Sequence, residues 1–179
     1  MPEIEIRPAV SSDIPRLIAF DHGFSSDYVW QMDIQAEENQ VRVAFREVRL
    51  PRSVRVEYPR PVRSLADDWT ERAGLLIACL EEQPVGYISL RREIAPVTIW
   101  VSDLVVERRL RRQGIGSALV LAAQEWARRQ QISRMVLEMQ PKNYPAIRMA
   151  EKLGFNFCGY NDRFYANHDI ALFFGKPLR

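Results

Sequence analysis

The 179-residue sequence predicts an α/β (α+β) fold: a mixed central sheet of about seven strands flanked by helices, with an extra N-terminal β-hairpin. Three observations predict it. Apolar, β-branched runs at Leu75–Leu80, Val85–Arg92 and Thr98–Val106 are separated by short polar turns, the pattern of an antiparallel meander. The passage from Thr98 to Met139 reads strand, helix, strand, and such a crossover makes its two strands parallel. Residues 28–50 hold two alternating runs around a polar Glu37–Gln40 turn, which predicts a hairpin.

In order, Ile4, Ile6 and Pro8 alternate with Glu3, Glu5 and Arg7, an opening strand with one buried face. Ser11-Ser12-Asp13 offers an N-cap to a short helix carrying Ile14, Leu17, Ile18 and Phe20. His22–Asp27 reads as a loop before the hairpin. Pro51, Pro59 and Pro61 predict a second loop to about Arg63, and Ser64–Arg72 one or two helical turns. Turns are expected at Glu81–Pro84 and Glu93–Pro96. Ile115, Leu119, Ala122, Ala123, Trp126 and Ala127 recur at helical spacing and predict a helix from Gly116 to about Arg129. Ser133–Met139 is a strand, Asn143–Leu153 a helix, and Phe155–Gly159 and Ile170–Phe174 close the sheet.

Composition bounds the function. Hydrophobic content of 47% and charged content of 27% fit one globular domain, residues 1–179, with a proper core. A net charge of +2 makes no case for a nucleic-acid partner. No signal peptide and no apolar run of ~20 residues is visible, so no membrane association is expected. Cys79 and Cys158 each lie in an apolar segment and read as buried, reduced thiols of a cytoplasmic protein. His22 and His168 are isolated, and no Cys/His cluster suggests a metal.

The chemistry concentrates after Leu104-Val105-Val106. Arg108, Arg109, Arg111 and Arg112 precede Gln113-Gly114-Ile115-Gly116-Ser117, which opens the long helix. Free N–H groups of a first helical turn and the helix dipole favour an anion there, and glycines admit it without a Cβ in the way. There is no GxxxxGK[ST] and no GxGxxG in a repeated βαβ pattern, so neither an NTPase loop nor a dinucleotide fold is supported.

The spacing Arg111-x-x-Gly114-x-Gly116 resembles the acyl-CoA signature of the GNAT N-acetyltransferases. A second stretch, from Leu137 through Asn143 and Ala146 to Gly154-Phe155, resembles that family's N-x-x-A-x-x-x-Y-x-x-x-G-F pattern, its Asn143 lying 27 residues after Gly116. Its Leu-Glu-x-Gln-x-x-Asn-x-Pro-Ala form, and the ending Ala171-Leu172-Phe173-Phe174, are most similar to streptothricin-type acetyltransferases. The local physics agrees: Asn143 suits a helix cap, Pro145 its first turn and Gly154 its C-terminal stop.

The resemblance implies acetyl-CoA as co-substrate, no metal, and transfer of acetyl to a primary amine of a small molecule by direct attack. It implies an acetyl-CoA-binding core over residues 74–174 and an acceptor-side variable region over 1–73. The pyrophosphate would lie on the N–H groups of Arg112, Gln113, Gly114, Ile115, Gly116 and Ser117, aided by the charge of Arg111 or Arg112. The pantetheine arm would pair with Leu104, Val105 and Val106, an N–H of Val105 or Val106 facing the developing oxyanion. Asn143 and Ala146 would line the arm.

The amine must lose a proton before it attacks, and Asp103 is the candidate base, with Glu138 and Ser102 as further candidates. The family's tyrosine position is Ala150 here. Tyr144, Tyr160 or Tyr165 is then the candidate acid, unless water protonates the thiolate. Tyr28, Trp30 and Tyr160 are candidate acceptor contacts, and Asp27, Asp33, Glu37 and Glu38 would suit a cationic amine. The substitution at Ala150 also leaves a non-catalytic acetyl-CoA-binding module as an alternative. The resemblance also leaves a protein amine open as acceptor and a homodimer as the assembly.

Overall fold

The computed structural model describes residues 3–92 and 95–178; Glu93 and Ile94 of the expected Glu93–Pro96 turn lie outside them. Seven strands form one mixed sheet: β1 (Glu5–Pro8), β4 (Gly74–Leu80), β5 (Gln83–Arg92), β6 (Thr98–Val106), β7 (Arg134–Met139), β8 (Asn156–Asn161) and β9 (Ala171–Pro177). Their order is β1-β4-β5-β6-β7-β9-β8. Among the described residues only β6 and β7 run parallel, as the crossover through α3 (Ile115–Arg129) requires.

Alternation sorts the strand residues between two cores. Leu76 and Ala78 of β4 face the larger one, with Ile88, Leu90, Ile99, Val101, Met135 and Leu137. There α3 sets down Ile115, Leu119, Ala123 and Ala127, one row at four-residue spacing, beside Ile147 and Ala150 of α4 (Tyr144–Lys152). Each such Leu or Ile contributes about 1.5–3 kcal/mol on burial. Leu75, Ile77 and Cys79 face the opposite way, against Ile14 and Leu17 of α1 (Ile14–Ile18) and Leu65 of α2 (Ser64–Asp68).

The hairpin is longer than its sequence suggests. β2 (Phe24–Glu37) and β3 (Gln40–Val56) pair along their length, so part of the expected 22–27 and 51–63 loops is strand. The register passes from Ser26↔Val54 to Tyr28↔Arg49, which places Leu50–Ser53 in an irregularity opposite Asp27. Pro51 has no N–H to lose there, so the proline interrupts the ladder without ending it. One end of the hairpin docks on the domain. Trp30 N–H donates to Pro141 O at 3.0 Å, and Phe45 packs on Phe157 and Tyr160, with ring centroids 5.2 and 5.3 Å apart.

Cys158 departs from the expected buried thiol. Cys79 is buried, but Cys158 is exposed, because β8 is an edge strand whose register breaks between Phe157 and Gly159. Both thiols are free. No helix among the described residues is long and apolar enough to cross a membrane.

Candidate active site

The site begins where two parallel strands part. β6 and β7 pair only from Thr98–Val101 to Arg134–Leu137. Ser102 is then bulged against β5, where the register passes from Leu90↔Val101 to Ser89↔Asp103. A bulge bends its strand and raises the local twist, and β6 leaves β7, which continues against β9 to Met139. The gap is a cleft of about 600 Å³, lined by residues 101–106 on one wall and 137–140 on the other.

Alternation decides which peptide groups face it. Glu107 N–H donates to Val85 O across the sheet at 2.8 Å, so Val105, two residues back, also turns its peptide groups to β5. Leu104 and Val106 therefore present theirs to the cleft. Of the two N–H groups that the sequence left open, those of Val105 and Val106, this register turns the one of Val106 to the cleft. The Val106 carbonyl is already taken by Arg111 Nε at 2.9 Å, which leaves the N–H.

One end of the cleft meets the start of α3. Arg112 (φ 62°) and Gly114 (φ 87°) are both left-handed, and no side chain caps the first turn behind Gly114. Successive N–H groups in such a turn form an anion-binding concavity. Arg112, Gly114, Gly116 and Ser117 line the cleft. Ile115 instead points into the core, and Gln113 turns its amide to Arg109 O; only their backbone belongs to the turn. A Cβ on Gly116 would stand 3.6 Å from Met149 Sδ and 3.9 Å from Val106 Cγ2, ordinary contacts, so any longer side chain would fill cleft space.

Arg111 also lines the cleft, but its guanidinium is committed to backbone carbonyls. Its guanidinium donates to Val106 O, to Gly23 O at 2.8 Å and to Asp21 O. It straps the glycine loop to the segment before β2. His22 lies beside it, with Nδ1–H donating to Phe20 O at 2.8 Å and Nε2 accepting from Tyr87 O–H at 3.0 Å. Burial, then Arg111, lowers its pKa and keeps the ring neutral, with both nitrogens occupied.

α4 supplies another wall. Asn143 Oδ1 accepts from Ala146 N–H at 3.3 Å, capping the helix, and Asn143, Ala146 and Met149 face the cleft. Phe155 N–H donates to Ala150 O and Gly154 N–H to Glu151 O, a Schellman stop with Gly154 at φ 79°. Ala150 itself is fully buried in the core.

The other end of the cleft is polar. Asp103 Oδ2 accepts from Arg72 Nη1 at 2.9 Å and from Ser102 Oγ at 2.7 Å. Burial, then the neighbouring Glu138, pushes the Asp103 carboxyl up to about 7. Glu138 accepts from Arg60 Nη2, and Arg60 Nη1 donates to Ser102 O at 3.1 Å. Tyr165 lines the same end, its hydroxyl pKa raised by burial and by Glu138. Asp68 fixes Arg72 from behind at 2.8 Å. Arg60 and Arg72 carry no sequence signal, since they lie in a proline loop and beyond a five-residue helix.

Several expected residues lie elsewhere. Tyr144 stacks on Tyr28, centroids 4.5 Å apart, and donates to Glu47 at the exposed rim. Trp30 packs 5.4 Å from Phe174, and Tyr160 meets Phe45. All four serve hairpin docking, and none lines the cleft. Asp27, Asp33, Glu37 and Glu38 are exposed on the hairpin; the cleft takes its negative charge from Asp103 and Glu138 instead.

Comparison with known proteins agrees with this geometry. The model of the acetyltransferase (GNAT) family matches residues 36–155. A streptothricin acetyltransferase of Streptomyces lavendulae is 24% identical over 183 residues, covering 97% of this chain and 94% of its own. The structure of a nourseothricin acetyltransferase superposes with a TM-score of 0.81 at 23% identity, covering 98% of this chain and 99% of its own. A Bacillus anthracis protein assigned as a streptothricin acetyltransferase, solved with acetyl coenzyme A, gives 0.75 at 20% identity and the same coverage.

Proposed function

This chain belongs to the GNAT acetyltransferase family and is an acetyl-CoA-dependent N-acetyltransferase, and on that premise we propose that it acetylates a primary amine of a small, cationic molecule by direct attack. One observation carries the reading. A single cleft runs from the uncapped start of α3, past the peptide groups of Leu104 and Val106, to Asp103, Glu138 and Tyr165. Its ends suit an anion and a cation, and its middle suits a carbonyl.

The residues divide the work. N–H groups from Arg112 to Ser117, with the Arg112 side chain, hold the pyrophosphate. The arm pairs with Leu104 and Val106 and passes Asn143 and Ala146. Asp103 takes the proton of the attacking amine on Oδ1, because Oδ2 is committed to Arg72 and Ser102. A carboxyl poised near 7 is matched to that task at neutral pH. Val106 N–H faces the oxygen that gains charge as the C–N bond forms. As the C–S bond breaks, Tyr165 gives its proton to the sulfur, the role Ala150 has no hydroxyl to fill. The relatives named for streptothricin and nourseothricin support a small-molecule acceptor.

Calorimetry with acetyl-CoA on the wild type and on Gly116→Leu tests the reading, followed by a panel of small amines. Binding by the wild type, lost in a folded Gly116→Leu, is the expected result. A folded wild-type protein that binds no acetyl-CoA would overturn it.

A further inference from the structure

We propose that Arg60 is a displaceable resident cation, seated in the acceptor end of the cleft and exchanged for the substrate's own positive charge. The inference rests on the acceptor assignment above and goes beyond it by naming what determines selectivity there.

Arg60 leaves the loop between β3 and α2 and touches every group assigned to acceptor chemistry. Nη1 donates to Ser102 O and lies 4.0 Å from Asp103 Oδ1, Nη2 donates to Glu138, and the guanidinium carbon stands 5.2 Å from the Tyr165 ring centroid. A carboxylate pair with a cation over an aromatic face is how a protein recognises an organic cation. Here the protein supplies that cation itself.

The two arginines of this end differ in how they are held. Arg72 is 4% exposed and fixed by Asp68, Ser89 and Asp103. Arg60 is 24% exposed and lies between Pro59 and Pro61 in a loop that opens to solvent. Asp103 Oδ1 is the oxygen left free for a proton, and Arg60 stands over it. An amine reaches Oδ1 only when Arg60 withdraws.

Withdrawal has an electrostatic condition. It strips the counter-ion from Glu138, whose side chain is 6% exposed. A buried carboxylate left unpaired is costly, whereas one cation replacing another keeps the charge balanced. A cationic acceptor meets the condition and a neutral amine of the same size does not. The site thereby selects for charge before chemistry begins.

Methylguanidinium, a free copy of the Arg60 head group, is the probe, and thermal melting of Arg60→Ala the first measurement. The ion is expected to raise the melting temperature of Arg60→Ala by roughly 3 °C or more at saturation and to leave the wild type almost unmoved. With an accepted amine it should compete at least about tenfold more tightly in Arg60→Ala than in the wild type, about 1.4 kcal/mol, with acetyl-CoA affinity unchanged. The response should vanish in Arg60→Ala/Glu138→Gln. If Arg60→Ala does not fold, Arg60→Gln carries the same readings. A folded variant that does not respond, or one whose response survives Glu138→Gln, overturns the proposal. The melting readout needs no turnover, so failure of the acetyltransfer reading shows separately, as absent acetyl-CoA binding by the wild type.

Discussion

Arg72 Nη1 lies 2.9 Å from Asp103 Oδ2, with the two side chains 4% and 5% exposed. The pair fixes the carboxylate so that one oxygen is spent and the other faces the cleft. Asp103→Asn keeps the shape and the hydrogen bond from Arg72 but cannot take a proton. It should lower kcat roughly 10²–10⁴-fold with acetyl-CoA affinity unchanged by calorimetry.

The pH dependence follows from the same group. Asp103 must be ionised to act as base, and its carboxyl is raised to about 7. In the wild type kcat/KM should therefore climb as pH rises through about 7 and level off above it, and the inflection should be missing from the residual activity of Asp103→Asn. For stability the sign is opposite. The folded state holds this proton more tightly than the unfolded chain, so the contribution is present at acid pH and is lost as pH rises through about 7. Melting temperatures at pH 5 and pH 8 should differ less in Asp103→Asn than in the wild type.

Two tyrosines separate by position. Tyr165 lines the cleft, and its raised pKa keeps the hydroxyl protonated at neutral pH. Tyr165→Phe should lower kcat about tenfold or more, at the small end for proton transfer because a thiolate leaves readily. Tyr144 spends its hydroxyl on Glu47 at the rim, and Tyr144→Phe should turn over as the wild type does. Equal losses in both variants would remove Tyr165 from the acid's role.

The arginine cluster illustrates what a motif conceals. Arg111 and Arg112 are adjacent, and the resemblance implies either one for the phosphate. Both line the cleft, but the fold commits the Arg111 guanidinium to three backbone carbonyls. Arg111→Ala should cost about 2–4 kcal/mol of stability, the loss of charge-assisted bonds to half-buried carbonyls. Arg112→Ala should leave the melting temperature unchanged while weakening acetyl-CoA binding and flattening its salt dependence.

What was legible in the chain followed local physics. The glycine turn and the Asn143 cap are each written in a few consecutive residues, the crossover in the order of three successive elements, and each is found in place. Asp103 lies on a legible strand, but its face does not follow from the sequence, because one residue of register, here the bulge at Ser102, moves a side chain to the other side. Arg60, Arg72 and Tyr165 meet at Asp103 and Glu138 only because a bulge at Ser102 parts two strands and separate loops close over the gap. No spacing rule encodes a meeting of residues 60, 72, 103, 138 and 165. The hairpin aromatics failed differently, since an aromatic that docks a ribbon and one that lines a pocket look alike in sequence.

That docking has its own consequence. A two-stranded ribbon is marginal alone, so β2 and β3 depend on Trp30 and Phe45 packing against Phe157, Tyr160 and Phe174. Phe45→Ala removes the ring that meets Trp30, Phe157 and Tyr160, at a cost of about 2–3 kcal/mol for a half-buried aromatic. The loss should fall on the ribbon first. Amide exchange should accelerate across residues 28–50 before it does in β4, β5 and β6, whose pairing does not pass through the hairpin. Acetyl-CoA affinity should hold, because no cleft wall is drawn from the docked aromatics. Uniform acceleration throughout the chain would instead mean that the ribbon and the sheet unfold as one unit.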